Sequence, residues 1–322
     1  MSGSKYTNSK NASIELSKQL INKFGSNAYI SLIQFGNMPE IKRDFENSIL
    51  TDAIFSEIDN MTNVSGGIDF ASKLFYNLKS KLGNEYDKVL KYTILLYDGI
   101  PNEYLLVGEV DNKDKAYYTN LFNNATITNK TSSNSVPYVQ NSSSYLKEII
   151  GSKLITIGYD FSGSNELKEI SSSDINGTLC ADSNYSGYCY YESTSSNINN
   201  LFKTIQNNIS EEVNKTAASK AKVVIKLNSN ITTEINNEKT NEIVYEIEFD
   251  NTEKVDEYMY NLIISEEIFN NCEKKDTCNI EVKLFDNITI ETYNKDGTLL
   301  TKTEDDSSPI FIIDNSTYSV LQ

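Results

Sequence analysis

An aspartate at position 98 stands between a strand-like run and a turn. The run before it, Tyr92–Tyr97, consists of large, mostly β-forming residues without a turn signal, and Gly-Ile-Pro-Asn follows at 99–102. The run predicts a central strand of a parallel sheet, buried on both faces. A carboxylate at the carboxyl end of such a strand lies where open α/β sheets bind ligands. Asp98 is therefore a candidate ligand-binding residue; the alternative is that it only stabilises its own turn.

The amino-acid composition excludes much enzyme chemistry. The 322 residues include no histidine, so a Ser-His-Asp triad, a histidine general base and a histidine-ligated zinc are all excluded. The sequence also lacks a Gly-x-x-x-x-Gly-Lys phosphate loop and a convincing catalytic pair of carboxylates. We therefore expect a protein that is not an enzyme.

The net charge of the chain argues against nucleic acids and anionic lipids as partners. Forty-five acidic residues against 29 basic ones give a net charge of −16, which repels nucleic acids and anionic lipids. Arg43 is the single arginine, so the usual fork for recognising phosphates is missing. No apolar run is long enough to span a bilayer or resembles a signal peptide. We expect no nucleic-acid partner and no membrane-spanning segment in this sequence.

The four cysteines form two local pairs in polar, loop-like surroundings. Cys180 and Cys189 are close in sequence, as are Cys272 and Cys278. Neither pair has Cys-x-x-Cys spacing, so two short-loop disulfides in an oxidising, extracellular location are the favoured interpretation. The alternative is four reduced thiols in a cytosolic protein.

Apolar periodicity predicts that residues 1–216 form an α/β domain. Helices are predicted at Thr7–Phe24, Thr51–Asp59, Ile68–Leu82, Tyr145–Ile150, Glu166–Ile170 and Asn197–Val213, and strands at Ala28–Phe35, Ile41–Asn47, Tyr92–Tyr97 and Lys153–Tyr159. This order predicts a doubly wound, mainly parallel sheet. The segment Asn123–Ser144 is rich in Asn, Ser and Thr and predicts a long surface loop.

After residue 216 the pattern changes to short strands without helices between them. The candidates are Lys222–Leu227, Glu242–Phe249, Tyr258–Ile264, Asn279–Phe285, Thr289–Tyr293, Leu299–Thr303 and Pro309–Ile313. Turns that contain Asn, Asp or Gly separate them. Residues 217–322 are therefore predicted to form an antiparallel, sandwich-like domain.

Five pieces of the first domain, taken in order, resemble a von Willebrand factor type A domain. They are Met1–Lys5 before the first helix, the strand from Ala28 to Gly36, Thr62-Asn63 before a glycine-containing helix start, Asp98–Asn102, and Ile155–Gly158. The resemblance covers roughly residues 1–213 and implies a Rossmann-like α/β fold. The second domain would then be an immunoglobulin-like module, as in bacterial surface and pilus-tip adhesins.

The resemblance also implies a metal-ion-dependent adhesion site. In this family an Asp-x-Ser-x-Ser motif, a threonine and an aspartate hold Mg²⁺ or Mn²⁺; Thr62 and Asp98 match the last two. Mg²⁺ prefers six oxygens and keeps several waters, so a partner's carboxylate can complete its coordination. Met1–Lys5 fits the sequence that follows the motif serines; a second alignment makes Ser2 and Ser4 those serines.

Both alignments leave the motif aspartate outside this sequence. The first strand of the fold is then also missing, which implies a chain truncated within the motif and makes metal binding by this chain doubtful. The buried backbone groups of neighbouring strands would lose their partners, at about 1–3 kcal/mol each.

The favoured function is a secreted or surface-attached adhesive protein that binds a protein or matrix ligand through a divalent metal. Two other functions remain open. One is an intracellular protein that assists a partner ATPase or an assembly, and the other is a passive structural stalk. The paired cysteines and the predicted second domain favour the adhesive function.

Overall fold

The computed structural model of the chain describes residues 3–56, 61–110, 112–173, 179–180, 182–249, 259–270 and 279–314. The chain divides into two compact units, Met1–Glu212 and Val213–Gln322. None of the helices in the described ranges combines the length and the apolarity that a membrane crossing requires.

The first unit mixes helices and strands, as the sequence predicts. Its helices are α1 (Gly3–Phe24), α2 (Val64–Leu82), α3 (Lys115–Phe122), α4 (Val136–Ser144), α5 (Asn165–Lys168) and α6 (Ile198–Thr216), which runs past the division. Its strands are β1 (Ile30–Phe35), β2 (Pro39–Glu46), β3 (Tyr92–Tyr97), β4 (Glu103–Val107), β5 (Ile127–Thr131), β6 (Lys153–Tyr159) and β7 (Tyr190–Ser193).

The strands of the first unit form one parallel and two antiparallel groups. The parallel sheet has the order β3-β6-β7, while β1 pairs with β2 and β4 with β5 in antiparallel ribbons. The apolar face of α2 joins them: Val64, Ile68 and Phe75 share one core with Leu95 of β3, and Phe35 of β1 packs against it. The predicted α/β class is confirmed, and the two ribbons add antiparallel pairing to it.

The prediction that Tyr92–Tyr97 is a central strand buried on both faces is wrong for this structure. In the described part of the chain, β3 pairs with β6 alone and forms an edge of the parallel sheet. Only Leu95 and Tyr97 are buried in it, whereas β6 is buried from Leu154 to its end. The apolar pattern of Tyr92–Tyr97 predicts burial correctly at the carboxyl end of the strand. It does not indicate how many neighbouring strands pair with it.

Two further predictions need correction. The predicted loop Asn123–Ser144 contains β5 and α4. Its Asn- and Thr-rich part pairs in register with β4. Pro137 occupies the first turn of α4, where a missing N–H costs nothing.

The predicted helix Thr51–Asp59 is a single 3-10 turn, Asp52–Ile54, in its described part. Residues 57–60 lie outside the described residues.

The single arginine has a structural role. Arg43 of β2 is buried, and its guanidinium donates hydrogen bonds to the carbonyl oxygens of Ile30, Ser48 and Ile49 at 2.9–3.2 Å. These bonds satisfy one carbonyl group of β1 and two in the segment that follows β2. The guanidinium of Arg43 therefore stabilises the fold.

Tyr92 makes the stability of β3 dependent on pH. Its hydroxyl is buried and has no hydrogen-bond partner within the described ranges, and burial raises the pKa of Tyr92 from 10.0 to about 12. The unfolded chain ionises this tyrosine at lower pH than the folded chain does. The stability that Tyr92 contributes below about pH 10 is therefore lost as the pH rises toward 12.

We expect Tyr92→Phe to raise stability modestly at neutral pH, because it removes a buried hydroxyl that has no hydrogen-bond partner among the described residues, and to raise it further at about pH 11. A phenylalanine ring packs as the tyrosine ring does but cannot ionise, so the variant does not lose stability through this group as the pH rises. Urea unfolding at both pH values measures the difference. Tyr29→Phe is the control, because Tyr29 is 58% exposed. A difference between Tyr92→Phe and parent that does not change with pH would contradict the expectation.

The second unit consists almost entirely of strands. Its described residues form one short helix, α7 (Glu266–Asn270), and the strands β8 (Lys220–Leu227), β9 (Ile231–Ile235), β10 (Glu238–Thr240), β11 (Glu242–Glu248), β12 (Leu262–Ile264), β13 (Asn279–Lys283), β14 (Phe285–Tyr293), β15 (Leu299–Asp305) and β16 (Ile310–Asp314). Every pairing is antiparallel, in the orders β11-β8-β14-β15, β10-β9-β12 and β13-β16. The immunoglobulin-like arrangement of these sheets stays a prediction.

A row of alternating charges fixes the register of the four-stranded sheet. Glu246 of β11 lies opposite Lys222 of β8, which lies opposite Glu291 of β14, which lies opposite Lys302 of β15. Opposite charges at directly paired positions contribute roughly 0.2–1 kcal/mol each. A shift of one residue would break all three pairs, so the row opposes slippage of the strands.

The structure confirms one of the two expected disulfides. Cys180 and Cys189 are bonded, with their Cα atoms 4.9 Å apart, and both are buried beside β7. Cys272 and Cys278 lie outside the described residues, so their pairing stays a prediction.

Candidate functional site

The structure brings the two sequence-predicted site residues into adjacent loops. Asp98 is the first residue after β3 and is partly buried, and Thr62 stands just before α2. The Thr62 N–H donates to Asn102 Oδ1 at 3.0 Å, and the Asn102 N–H donates to the Thr62 carbonyl at 3.2 Å. Thr62 Oγ1 lies 3.8 Å from where a Cβ on Gly99 would stand. The Thr62 hydroxyl is therefore held against the turn that carries Asp98.

The side chain of Asn63 fixes the start of α2 next to Thr62. Its Oδ1 accepts the Gly66 N–H at 2.9 Å, a helix N-cap, and its Nδ2 donates to the Asn37 carbonyl and to Asn129 Oδ1. A Cβ on Gly66 would lie 2.7 Å from Asn63 Oδ1, so the cap requires glycine there. Asn63 thus ties the Thr62 loop to the β1–β2 turn and to β5.

Sequence reasoning missed these asparagines as part of the site. The sequence pattern indicates Asn102 only as a turn residue and Asn63 only as the residue after Thr62. An N-cap asparagine before Val-Ser-Gly-Gly is a recognisable helix start. The bonds to Asn37 and Asn129 have no sequence signal, because they join residues 26 and 66 positions apart.

The start of α1 lies at the same edge of the unit. Lys5 Nζ is 3.6 Å from Asp160 Oδ2, just beyond the carboxyl end of β6, and Tyr6 donates to the Ser56 carbonyl at 2.7 Å. Gln34 of β1 in turn binds Ser56 through backbone and side chain. Ser4 is exposed in the first turn of α1, and Ser2 lies outside the described residues. The proposed role of both serines stays a prediction.

Strands β1 and β3 each have one edge without a strand partner. Within the described ranges, β1 pairs only with β2, and β3 pairs only with β6. Both strands pack under α2 in one core. The carboxyl ends of these two strands lead into Gly36, which accepts the Asn63 N–H at 2.9 Å, and into Asp98. In the described part of the chain, both strands thus end next to the candidate site, and each has one edge without a strand partner.

The chemistry of the site is that of a few hard oxygen ligands. Thr62 offers a hydroxyl and Asp98 a carboxylate, which suit Mg²⁺ or Mn²⁺ better than softer metals. The residues that the structure describes contain no group of three or more His, Cys, Asp or Glu side chains able to hold a metal. These two residues therefore fit part of a magnesium site, whose remaining positions water or a partner would have to fill.

Similar solved structures include von Willebrand factor type A domains and pilus adhesins. The von Willebrand factor domain of the type V pili tip protein Mfa5 from Porphyromonas gingivalis is similar over 66% of this chain and 92% of its own, at 16% identity and a TM-score of 0.47. The pilus adhesin SpaC from Lactobacillus rhamnosus GG is similar over 94% of this chain, at 11% identity and a TM-score of 0.46. This chain spans 41% of that adhesin.

A von Willebrand factor type A protein from Catenulispora acidiphila is similar over 92% of this chain and 61% of its own, at 10% identity and a TM-score of 0.37. No protein-family model and no curated protein matches the chain.

Proposed function

We propose that this chain is part of an adhesive protein that acts outside the cell or on its surface. Its first unit binds a protein or matrix ligand at the edge formed by Thr62 and Asp98. A divalent cation, Mg²⁺ or Mn²⁺, is held there by the Asp98 carboxylate and the Thr62 hydroxyl. A carboxylate of the ligand completes its coordination.

The observation that carries this proposal is the pair of hydrogen bonds between Thr62 and Asn102. They hold a hydroxyl-bearing loop against the loop of Asp98 across 40 residues of sequence. If Asp98 only stabilised its own turn, hydrogen bonds between that turn and Thr62 would not be needed. Hard oxygens from two preorganised loops are the arrangement that a small divalent cation requires.

The charge of such a site explains why a carboxylate would be its ligand. One aspartate leaves a divalent cation with a net positive charge, and a hydroxyl adds none. An anionic group from a partner neutralises the excess through a direct metal bond. The disulfide Cys180–Cys189 supports the location, because such bonds persist in oxidising compartments.

A titration of the chain with Mn²⁺ alone tests this proposal. Electron paramagnetic resonance measures the concentration of the free ion and hence the binding. We expect weak binding, with a Kd on the order of 10⁻⁴–10⁻³ M as for sites with few charged ligands. Asp98→Asn and Thr62→Val should each weaken it at least about tenfold, or about 1.4 kcal/mol. Both substitutions keep the shape of the side chain and the backbone bonds of Thr62.

Asp87→Asn is the matched control, because it removes an exposed carboxylate from the segment between α2 and β3. It should leave Mn²⁺ binding unchanged. Equal binding by the parent, Asp98→Asn and Thr62→Val would overturn the proposed site, as would complete absence of binding by the parent chain.

A further inference from the structure

A cleft of about 530 Å³ opens on the surface of the first unit beside α3. Its apolar walls are Tyr76 of α2, Tyr118 and Phe122 of α3, and Tyr145 and Ile149 of the turn that follows α4. Tyr76 is 42% exposed and Ile149 is 67% exposed. The metal site proposed above uses none of these residues. A concave surface with exposed aromatic walls and a volume of this size is typical of a small-molecule site.

The aromatic rings of the cleft form two stacked pairs. The Tyr76 ring lies on Phe122 with the ring centres 4.1 Å apart, and the Tyr118 ring lies on Tyr145 at 3.4 Å. The two pairs are inclined to each other, because the Phe122 ring is tilted by 51° from the Tyr145 ring. An occupant of the cleft can therefore contact aromatic carbon atoms on more than one side.

A buried polar network holds the floor of the cleft in place. The Tyr118 hydroxyl donates to Asp69 Oδ1 at 3.0 Å, and Tyr117 donates to Asp69 Oδ2 at 2.6 Å. Lys113 Nζ lies 2.5 Å from Asp69 Oδ2, and the side chains of this ion pair are both 0% exposed. The Tyr118 ring is thus fixed before any ligand arrives, which lowers the entropy lost on binding.

The turn that contributes Tyr145 and Ile149 has an uncommon backbone geometry. Residues Tyr145–Ile149 form a single π-helical turn, and the Ile150 N–H donates to the Tyr145 carbonyl at 3.2 Å. Single π-helical turns are rare and occur frequently at functional sites. This one brings an aromatic and an aliphatic side chain to the same cleft.

Polar side chains of α3 and its ends stand next to the aromatic walls. Asp114, Lys115, Thr119 and Asn123 line the same cleft and are exposed. Together they offer hydrogen-bond donors and acceptors. Their one carboxylate and one ammonium balance each other in charge, since the other lysine of the lining is held in the buried ion pair. Such a lining suits an uncharged ligand with many hydroxyl groups better than it suits an ion.

We propose that this cleft binds a neutral saccharide. The apolar C–H face of a sugar ring lies on the aromatic walls, and its hydroxyl groups exchange hydrogen bonds with Asp114, Asn123 and the other polar side chains. The net charge of −16 on the chain opposes acidic saccharides. Binding needs no metal ion, so the cleft and the proposed metal site act independently.

Saturation-transfer difference NMR of the full chain tests this proposal. The probes are the neutral disaccharides cellobiose, lactose, maltose and N,N′-diacetylchitobiose, with choline as a cationic comparison and EDTA present throughout. We expect transfer to the carbon-bound ring protons of at least one disaccharide, with a Kd on the order of 10⁻³ M. Absence of transfer to all four disaccharides overturns the proposal, as does transfer to choline that matches or exceeds it. Neither result bears on Mn²⁺ binding at Asp98.

Tyr76 provides matched variants, because its exposed ring can be replaced without opening the core. Tyr76→Ala removes the ring and should weaken binding about tenfold, whereas Tyr76→Phe keeps it and should stay within about threefold of the parent. Tyr29→Ala, at a tyrosine outside the lining that is 58% exposed, should change nothing. Circular dichroism confirms that each variant is folded. Equal binding by Tyr76→Ala and the parent overturns the proposal.

Asp114→Asn separates a neutral ligand from a cationic one. Asparagine keeps the N-cap of α3 and the hydrogen-bonding capacity of the rim. Binding of a neutral saccharide should therefore stay within about threefold of the parent. A cationic ligand would lose its counter-charge. A loss of about tenfold or more in this variant would contradict a neutral ligand.

Discussion

Replacing Asp69 by leucine is expected to lower the free energy of unfolding of the first unit by about 3–5 kcal/mol. The side chains of Asp69 and Lys113 are both 0% exposed, so the substitution leaves a cationic side chain in an apolar core without its carboxylate. Tyr117 and Tyr118 lose the acceptor that both hydroxyls use. Guanidinium unfolding monitored by circular dichroism measures the loss.

The double variant Asp69→Leu with Lys113→Met separates the causes. It removes both charges, so it should be more stable than Asp69→Leu alone. A buried pair replaced by apolar groups of similar volume is often neutral. The recovery therefore measures the free-energy cost of the unpaired charge. A double variant no more stable than Asp69→Leu would contradict this account.

An exposed ion pair provides the matched control. Lys81 and Asp44 are 2.8 Å apart, but their side chains are 59% and 43% exposed. Water screens and hydrates both charges, so Lys81→Met should cost less than about 1 kcal/mol. Similar losses for Lys81→Met and Asp69→Leu would show that burial does not set the energy of the Asp69 pair.

Local patterns in the sequence predict α1, α2, α5, α6 and many of the strands, but they miss α3 and α4. The helix that follows Thr62-Asn63 ends at Gly83, as expected, because an N-cap and a C-terminal glycine act within one or two turns. Asp98 was placed correctly after a strand by the change from an apolar run to a turn. Such signals depend only on neighbouring residues.

What the sequence could not predict depends on partners far along the chain. The Asp69–Lys113 pair spans 44 residues, and neither residue stands out in its own segment. Strand β5 was missed because Ile127–Thr131 is polar, and only pairing with β4 makes it a strand. The edge position of β3 depends on what lies beside it in space. Pairing and burial of this kind belong to the fold and have no local sequence pattern.

A strand added before Gly3, with a carboxyl end of the form Asp-x-Ser-x-Ser, is expected to make the melting temperature respond to Mg²⁺ or Mn²⁺. In the described part of the chain, β1 and β3 each have one edge without a strand partner, and both pack under α2. The start of α1 contacts Ser56, which Gln34 of β1 also binds, and Asp160, which follows β6. An added strand would therefore end beside Thr62 and Asp98.

The expected size of the effect follows from the number of ligands. An added aspartate and two serines bring oxygens to a cation that the chain alone holds through Thr62 and Asp98. At a metal concentration about 100 times Kd the stabilisation is about 2.7 kcal/mol, or roughly 5–10 °C for a unit of this size. The chain without the added strand binds weakly, so metal near its Kd contributes only about 0.4 kcal/mol.

The decisive comparison is between two added strands, one ending in Asp-x-Ser-x-Ser and one ending in Ala-x-Ala-x-Ala. Both should raise the melting temperature without metal, because each pairs with the open edges of β1 and β3 and satisfies their backbone groups. Only the first should respond to Mg²⁺, and Asp98→Asn should remove that response while leaving the metal-free gain. Equal stabilisation of the extended and the unextended chain by metal would contradict this ligand set, because the metal would then be binding elsewhere.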